Sequence, residues 1–248
     1  MANRFGQYFD DVSQVDGSTG WYGIYNSTYK EYIPVYIDQD YDGGGWVCVL
    51  ANWRYTSGMN NCSFSQAINN CNYRTEPSSD DSTNTPALLH NLKNLTLSDV
   101  NIWVGLKFWS MFGSRKTDSK IEVAMFSSGT NGTALNATGS HTERFTFRFD
   151  GFTGANYSWL NESNGSSAVG GTPGLYSYHA AGNHHLTTYD DDNDSNGNNC
   201  STYYNNNPWW YGSCWSGNMF GGGSYNDGPY WTSSNSENSR QYMALYIK

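Results

Sequence analysis

The decisive stretch is Thr187-Thr188-Tyr189-Asp190-Asp191-Asp192-Asn193-Asp194-Ser195-Asn196-Gly197-Asn198-Asn199-Cys200, followed by Trp209-Trp210-Tyr211 and then Cys214. Four carboxylates in five positions repel one another, so this segment needs a counter-ion or full solvation. Oxygen donors spaced two apart suit Ca²⁺, which takes six to eight oxygens at roughly 2.3–2.6 Å. An EF-hand does not fit. With Asp190 as the first position, Ser195 stands where glycine is required and Ser201 where a bidentate glutamate is required. The segment is expected to be another kind of calcium loop. The competing reading is a solvated acidic turn.

The composition around this loop narrows the function classes. A net charge of −9 argues against nucleic acid, which needs a basic footprint. No run of about 18 apolar residues is present, so membrane insertion by a helix is not expected. The start, Met1 to Gln7, has no charged-then-apolar pattern and reads as lacking a secretory signal. Only 14% of residues are charged, against a usual ~25%, so solubility rests on Asn, Ser, Thr and Gly. Aromatics reach 17%, and tyrosine and tryptophan among amides suit carbohydrate, whose C–H faces stack on rings. An aromatic core in a loop-rich β protein explains the same composition.

Alternating or apolar runs predict strands at Tyr32–Ile37, Trp46–Ala51, Asn101–Leu106, Lys120–Phe126, Arg144–Phe149 and Tyr242–Ile247. Helical periodicity is rarer. It points to Pro86–Val100 and, more briefly, to Ser63–Asn70. Gly43-Gly44-Gly45 and Gly221-Gly222-Gly223 read as turns or close backbone approaches. From Ser158 to Asn238 strand signals are few, and the rings there argue against disorder. A metal and a disulfide are the expected means of holding those loops.

The run Thr-Thr-Tyr-Asp-x-Asp-Asn-Asp ending at Asp194, with Asn199-Cys200, Trp209-Trp210-Tyr211 and Cys214, resembles the calcium loop and disulfide of fibrinogen-like recognition domains. Pro34 to Asp38, followed by Asp42-Gly43-Gly44-Gly45-Trp46, is similar to that family's early strand pair and its glycine turn. Tyr225-Asn226-Asp227-Gly228, Trp231 and Tyr242 to Ile247 are similar to its C-terminal segment. The likeness is specific over residues 19–55 and 183–248 and weak between Ala67 and Tyr178. It implies an α+β fold: a twisted antiparallel sheet, few short helices and a long loop-rich C-terminal part. Residues 1–18 would be an N-terminal attachment segment, 19–248 a single domain, and 183–248 its calcium and ligand-binding part.

By position, the resemblance makes the side chains of Asp192 and Asp194 and the backbone carbonyls of Asn196 and Asn198 the Ca²⁺ ligands, with Asp190 just outside the set. It implies a Cys200–Cys214 disulfide. It also implies a pocket formed by Tyr211, a cis Ser213-Cys214 bond, Trp215, Tyr225 and Asn226, taking acetylated ligands. Trp215 departs from the histidine many acetyl-binding members carry, which points to an altered ligand. Family members usually have an N-terminal cysteine pair, and Ile37 occupies one of its places. Of the remaining cysteines, Cys62 and Cys71 are near enough in sequence to pair. Cys48 reads as a buried free thiol, and a bridge between subunits is the alternative.

These features predict a calcium-dependent lectin and adhesion module rather than an enzyme. No catalytic motif such as Gly-x-Ser-x-Gly or His-Glu-x-x-His is present. The expected setting is extracellular or on a virion surface, as a homo-oligomer or part of a larger assembly recognising host-surface glycans. The alternative is a decoration or filament subunit with a structural calcium and no active pocket. A polysaccharide-cleaving enzyme is the third reading, and it would need a paired acid and base.

Overall fold

The computed structural model describes residues 8–41, 43–53, 61–69, 102–113, 120–128, 140–149, 159–160, 185–214, 217–218, 230–231 and 242–248. Its strands are β1 (Tyr8–Phe9), β2 (Gly20–Asn26), β3 (Glu31–Asp38), β4 (Trp46–Trp53), β5 (Ile102–Trp103), β6 (Lys120–Ser128), β7 (Ser140–Phe149), β8 (Trp159–Leu160), β9 (Gly217–Asn218), β10 (Tyr230–Trp231) and β11 (Tyr242–Ile247). The helices are α1 (Phe64–Asn69), α2 (Ser110–Gly113) and α3 (Cys200–Tyr203), with 3-10 turns at Val12–Gln14 and Leu106–Phe108.

The main sheet runs β1-β2-β3-β4-β11-β6-β7-β8, and β5 also pairs with β4. Every pairing in it is antiparallel except β1 with β2. Strands β9 and β10 form a separate antiparallel ribbon. The C-terminal strand thus lies at the centre, with Leu245 opposite Leu50 on one side and Met125 on the other. Its pairing with β4 shifts between Leu245 and Tyr246, where a bulge skips Val49.

Successive side chains of a strand point to opposite faces. Residues 46–51 and 244–247 are nonetheless all buried, so both faces of the sheet centre are covered. This explains why these two segments are nearly continuous apolar runs rather than alternating ones. The expected α+β fold is present, with five of the six predicted strands and the shorter predicted helix in place; of the sixth, Asn101–Leu106, only Ile102–Trp103 is strand, and Leu106 starts a 3-10 turn. The predicted helix over 86–100 and the turn at 221–223 lie outside the described residues.

Two strands at the N-terminal edge have no alternation to mark them. β1 has two residues, and β2 carries two glycines among its rings. Part of the expected attachment segment is therefore domain structure. Tyr8 and Phe9 pair with β2, Val12 and Val15 are buried in the core, and Asp11 caps the turn between them.

The glycine turn before β4 shows why its residue type is required. Gly43, Gly44 and Gly45 take φ values of 77°, 70° and 78°, the left-handed region that costs other residues about 1–2 kcal/mol. Gln39 fills the turn: its Oε1 accepts from the Gly45 amide at 2.8 Å, and its Nε2 donates to the Val15 carbonyl at 2.9 Å. A Cβ on Gly44 would collide with Gln39 Oε1 and lie 2.9 Å from the Gln39 carbonyl oxygen. Gly44→Ala is expected to lower stability by about 2–3 kcal/mol in denaturant unfolding, from backbone strain plus overpacking. Gly20→Ala, with open space around its Cβ, is expected to be neutral or slightly stabilising.

Candidate functional site

The acidic segment folds as a loop held at three points by the chain that follows it. Thr187 and Trp209 exchange backbone hydrogen bonds of 2.9 and 3.1 Å. Ser195 donates to the Gly212 carbonyl from both its amide and its hydroxyl, each at 2.9 Å. Cys200 and Cys214 form the expected disulfide, with Cα atoms 5.0 Å apart. Trp209 and Trp210 are buried, as a packing role requires. Trp210 lies 5.9 Å from Trp109, which in turn lies 5.7 Å from Trp103 on β5. A row of indoles therefore seats the irregular lobe on the sheet.

Within the loop, alternate side chains turn back onto the backbone. Asp192 Oδ1 accepts from the Asp194 amide at 3.4 Å, Asp194 Oδ1 from the Asn196 amide at 2.8 Å, and Asn196 Oδ1 from the Asn198 amide at 3.1 Å. This is the local turn chemistry that Asp and Asn supply. Asp194 Oδ2 also accepts from the Cys200 amide at 2.8 Å, which ties the loop to the disulfide. Asn199 caps α3 through the Thr202 amide and donates to the Thr188 carbonyl.

The electrostatics favour a cation. The Asp192 and Asp194 carboxylates lie within hydrogen-bonding reach of each other. Partial burial raises the pKa of Asp194 most; the charge of Asp192 adds to it, against the lowering by amide hydrogen bonds from Cys200 and Asn196. The resulting donor set is all oxygen: two adjacent carboxylates and a loop rich in carbonyls. That chemistry fits a hard divalent ion such as Ca²⁺. Among the described residues no three His, Cys, Asp or Glu side chains converge. Asp192 and Asp194 would therefore bind directly, and carbonyls such as those of Asn196 and Asn198, with water, would complete the shell.

Of the expected ligand pocket, Tyr211, Ser213 and Cys214 lie among the described residues. Tyr211 is 1% exposed; its ring stacks on Tyr204 at 5.8 Å and its hydroxyl donates to the Asn207 carbonyl. Its ring is core rather than an open ligand face, a correction that follows from the buried position of the segment carrying it. Ser213 is exposed and Cys214 half-buried. The Ser213-Cys214 bond is trans, not cis, and the sharp change of direction falls instead on Cys214, at φ 67°. Trp215, Tyr225 and Asn226 lie outside the described residues.

Of the second expected disulfide, Cys62 is a buried free thiol, and Cys71 lies outside the described residues. Burial, and secondarily the charge of Asp190, pushes the Cys62 thiol up to about 12. Cys48 is buried and free, as its place in β4 suggests, and burial pushes it up strongly as well.

A central antiparallel sheet carrying a disulfide-closed acidic lobe defines a fibrinogen-like globular domain. The chain belongs to that family: the family described as fibrinogen beta and gamma chains, C-terminal globular domain, matches residues 96–247. The match runs through the region where motif likeness is weak. The fibrinogen-like globe domain of human ANGPTL2 superposes with a TM-score of 0.64 at 16% identity, covering 96% of this chain and 95% of that one. That of human ANGPTL6 superposes with a TM-score of 0.64 at 18% identity, covering 97% and 95%. A lamprey fibrin D-dimer, solved with the peptide Gly-His-Arg-Pro-amide, gives a TM-score of 0.65 at 14% identity, covering 98% of this chain and 74% of that one. These structures share the fold, and no curated protein sequence matches the chain.

The Cys200→Ser/Cys214→Ser variant is expected to lose about 2–4 kcal/mol in urea unfolding, since the bond closes a loop of roughly 15 residues. In a Cys71→Ser background, a thiol reagent is expected to find no reactive cysteine in the native state and two after denaturation, namely Cys48 and Cys62. The stabilising share of a protonated Cys62 is complete below its ordinary value of 9.0 and lost as pH rises towards about 12. Stability is therefore expected to fall over that alkaline window.

Proposed function

We propose that the chain is a calcium-binding recognition module that takes acetylated glycans beside the calcium loop. The observation that carries this reading is the Asp192–Asp194 carboxylate pair, held by a ladder of turns and anchored to Cys200 beside the disulfide. The left-handed backbone at Cys214 supports a ligand site there, because strain of this kind clusters at binding sites. The lamprey fibrin relative was solved with a peptide bound, so this fold can present a ligand surface. Fibrinogen-like domains are usually extracellular, and a disulfide fits an oxidising compartment. Among the described residues no helix is long and apolar enough to cross a membrane. We place the module on an exposed surface, in an oligomer or larger assembly such as a virion, where the many polar uncharged residues and rings meet host glycans.

A second reading is a decoration or filament subunit in which calcium only stabilises the fold. The burial of Tyr211 and the trans Ser213-Cys214 bond favour it. A glycan array with and without EDTA separates the two readings. Calcium-dependent glycan binding that Asp192→Ala/Asp194→Ala abolishes is the expected result. A calcium-dependent rise in thermal stability with no glycan bound would give the structural reading the lead.

A further inference from the structure

The calcium reading leaves two carboxylates of the acidic loop, Asp190 and Asp191, without a task, and Asp190 has a distant partner. Asp190 Oδ1 accepts from the Thr188 hydroxyl at 2.7 Å, within its own turn, and from the Phe64 amide at 2.9 Å, 126 positions away. Phe64 is the first residue of α1. The helix start has further partners: the Ser63 amide donates to Gln66 Oε1 at 2.8 Å, and Ser63 Oγ accepts from the Gln66 amide at 3.2 Å, a capping box. The Ala67 amide reaches the Ser63 carbonyl at 2.8 Å. The Phe64 amide is one of the donors that a helix start cannot satisfy internally, and the acidic loop supplies its acceptor.

A second contact lies at the same junction. Asn206 Nδ2 donates to Asn61 Oδ1 at 2.6 Å, joining the residues before α1 to the turn after α3. Asn61, Asn205 and Asn206 have φ values of 63°, 59° and 58°. Three left-handed asparagines meet here, a conformation they tolerate better than most residues but still at some cost. A backbone so bent on both sides of a contact marks a fixed docking geometry. From α1 the support continues into the sheet, because Trp103 Nε1 donates to the Ala67 carbonyl at 2.9 Å.

We propose that Asp190 is a positioning residue: it docks the loop bearing Asp192 and Asp194 onto the start of α1, and this docking sets the loop's calcium affinity. The inference rests on the calcium reading above. Its physical content is reciprocal linkage. A contact that restrains the loop in its binding geometry tightens the ion, and the bound ion in turn protects the contact. Asp190 acts through acceptor geometry rather than through its charge.

The test uses the full chain with Ca²⁺, titrated by calorimetry, and amide hydrogen exchange at Phe64. Asp190→Ala removes the acceptor and is expected to weaken calcium binding about 5–10-fold, the scale of one restraining hydrogen bond. Asp190→Asn keeps an oxygen acceptor while removing the charge, so affinity is expected within about 3-fold of wild type. Phe64→Pro removes the donor at a first helical position, where proline is tolerated, and is expected to match Asp190→Ala. Phe64→Ala keeps the amide and reports the loss of the ring alone; its affinity is expected to stay near wild type. Calcium is expected to slow exchange at Phe64 in wild type and not in Asp190→Ala.

If wild type binds calcium and Asp190→Ala and Phe64→Pro bind it equally well, the positioning role is wrong and the calcium reading stands. Equal weakening in Asp190→Asn and Asp190→Ala overturns it too, because charge would then be the operative property. If wild type binds no calcium, both the calcium reading and this inference fall.

Discussion

The irregular lobe that carries the acidic loop depends on the row of indoles from Trp103 through Trp109 to Trp210 and Trp209. Residues 185–214 contain little regular structure: one short helix and two isolated bridges. Such a segment has few internal ladders to hold it. Four large buried rings supply what it lacks, since each removes on the order of 150–250 Å² from water. They also fix the lobe to β5, beside β4. Trp103 and Trp109 also donate their indole N–H groups to the Ala67 and Val104 carbonyls.

With the lobe seated, its interior geometry follows from short-range chemistry. Asp and Asn at alternate positions bend the loop by hydrogen-bonding amides two residues on. The bends bring Asp192 and Asp194 together, and partial burial raises the proton affinity of Asp194. A loop that keeps two carboxylates in place beside each other suits an external cation. The Cys200–Cys214 bond and the Asp194 contact to the Cys200 amide make loop, disulfide and Cys214 a single unit.

Much of the fold was legible in the sequence because strands with buried centres leave local marks. Trp46 to Ala51 and Tyr242 to Ile247 are apolar runs, and the structure pairs them at the middle of the sheet. β2 was less legible, since its two glycines break any alternation. β1 left no mark in the sequence, because a two-residue parallel strand has no pattern of its own. At the site, the Cys200–Cys214 bond followed from the family resemblance, and the structure forms it. Tyrosine at 211 suits both a pocket and a core, and its packing on Tyr204 buries it.

The sequence alone determined the residue types at each turn, the donors of the acidic loop and the strands of the core, all properties of neighbours within a few positions. The tertiary structure decided what depends on residues far apart. It buried Cys62 as a free thiol, moved the backbone distortion from a peptide bond to the φ of Cys214, and set Asp190 against the start of α1. Each of those outcomes turns on which distant segment reaches a given atom first. A local pattern of residues carries no record of that choice, because it is made by the packing of the whole chain.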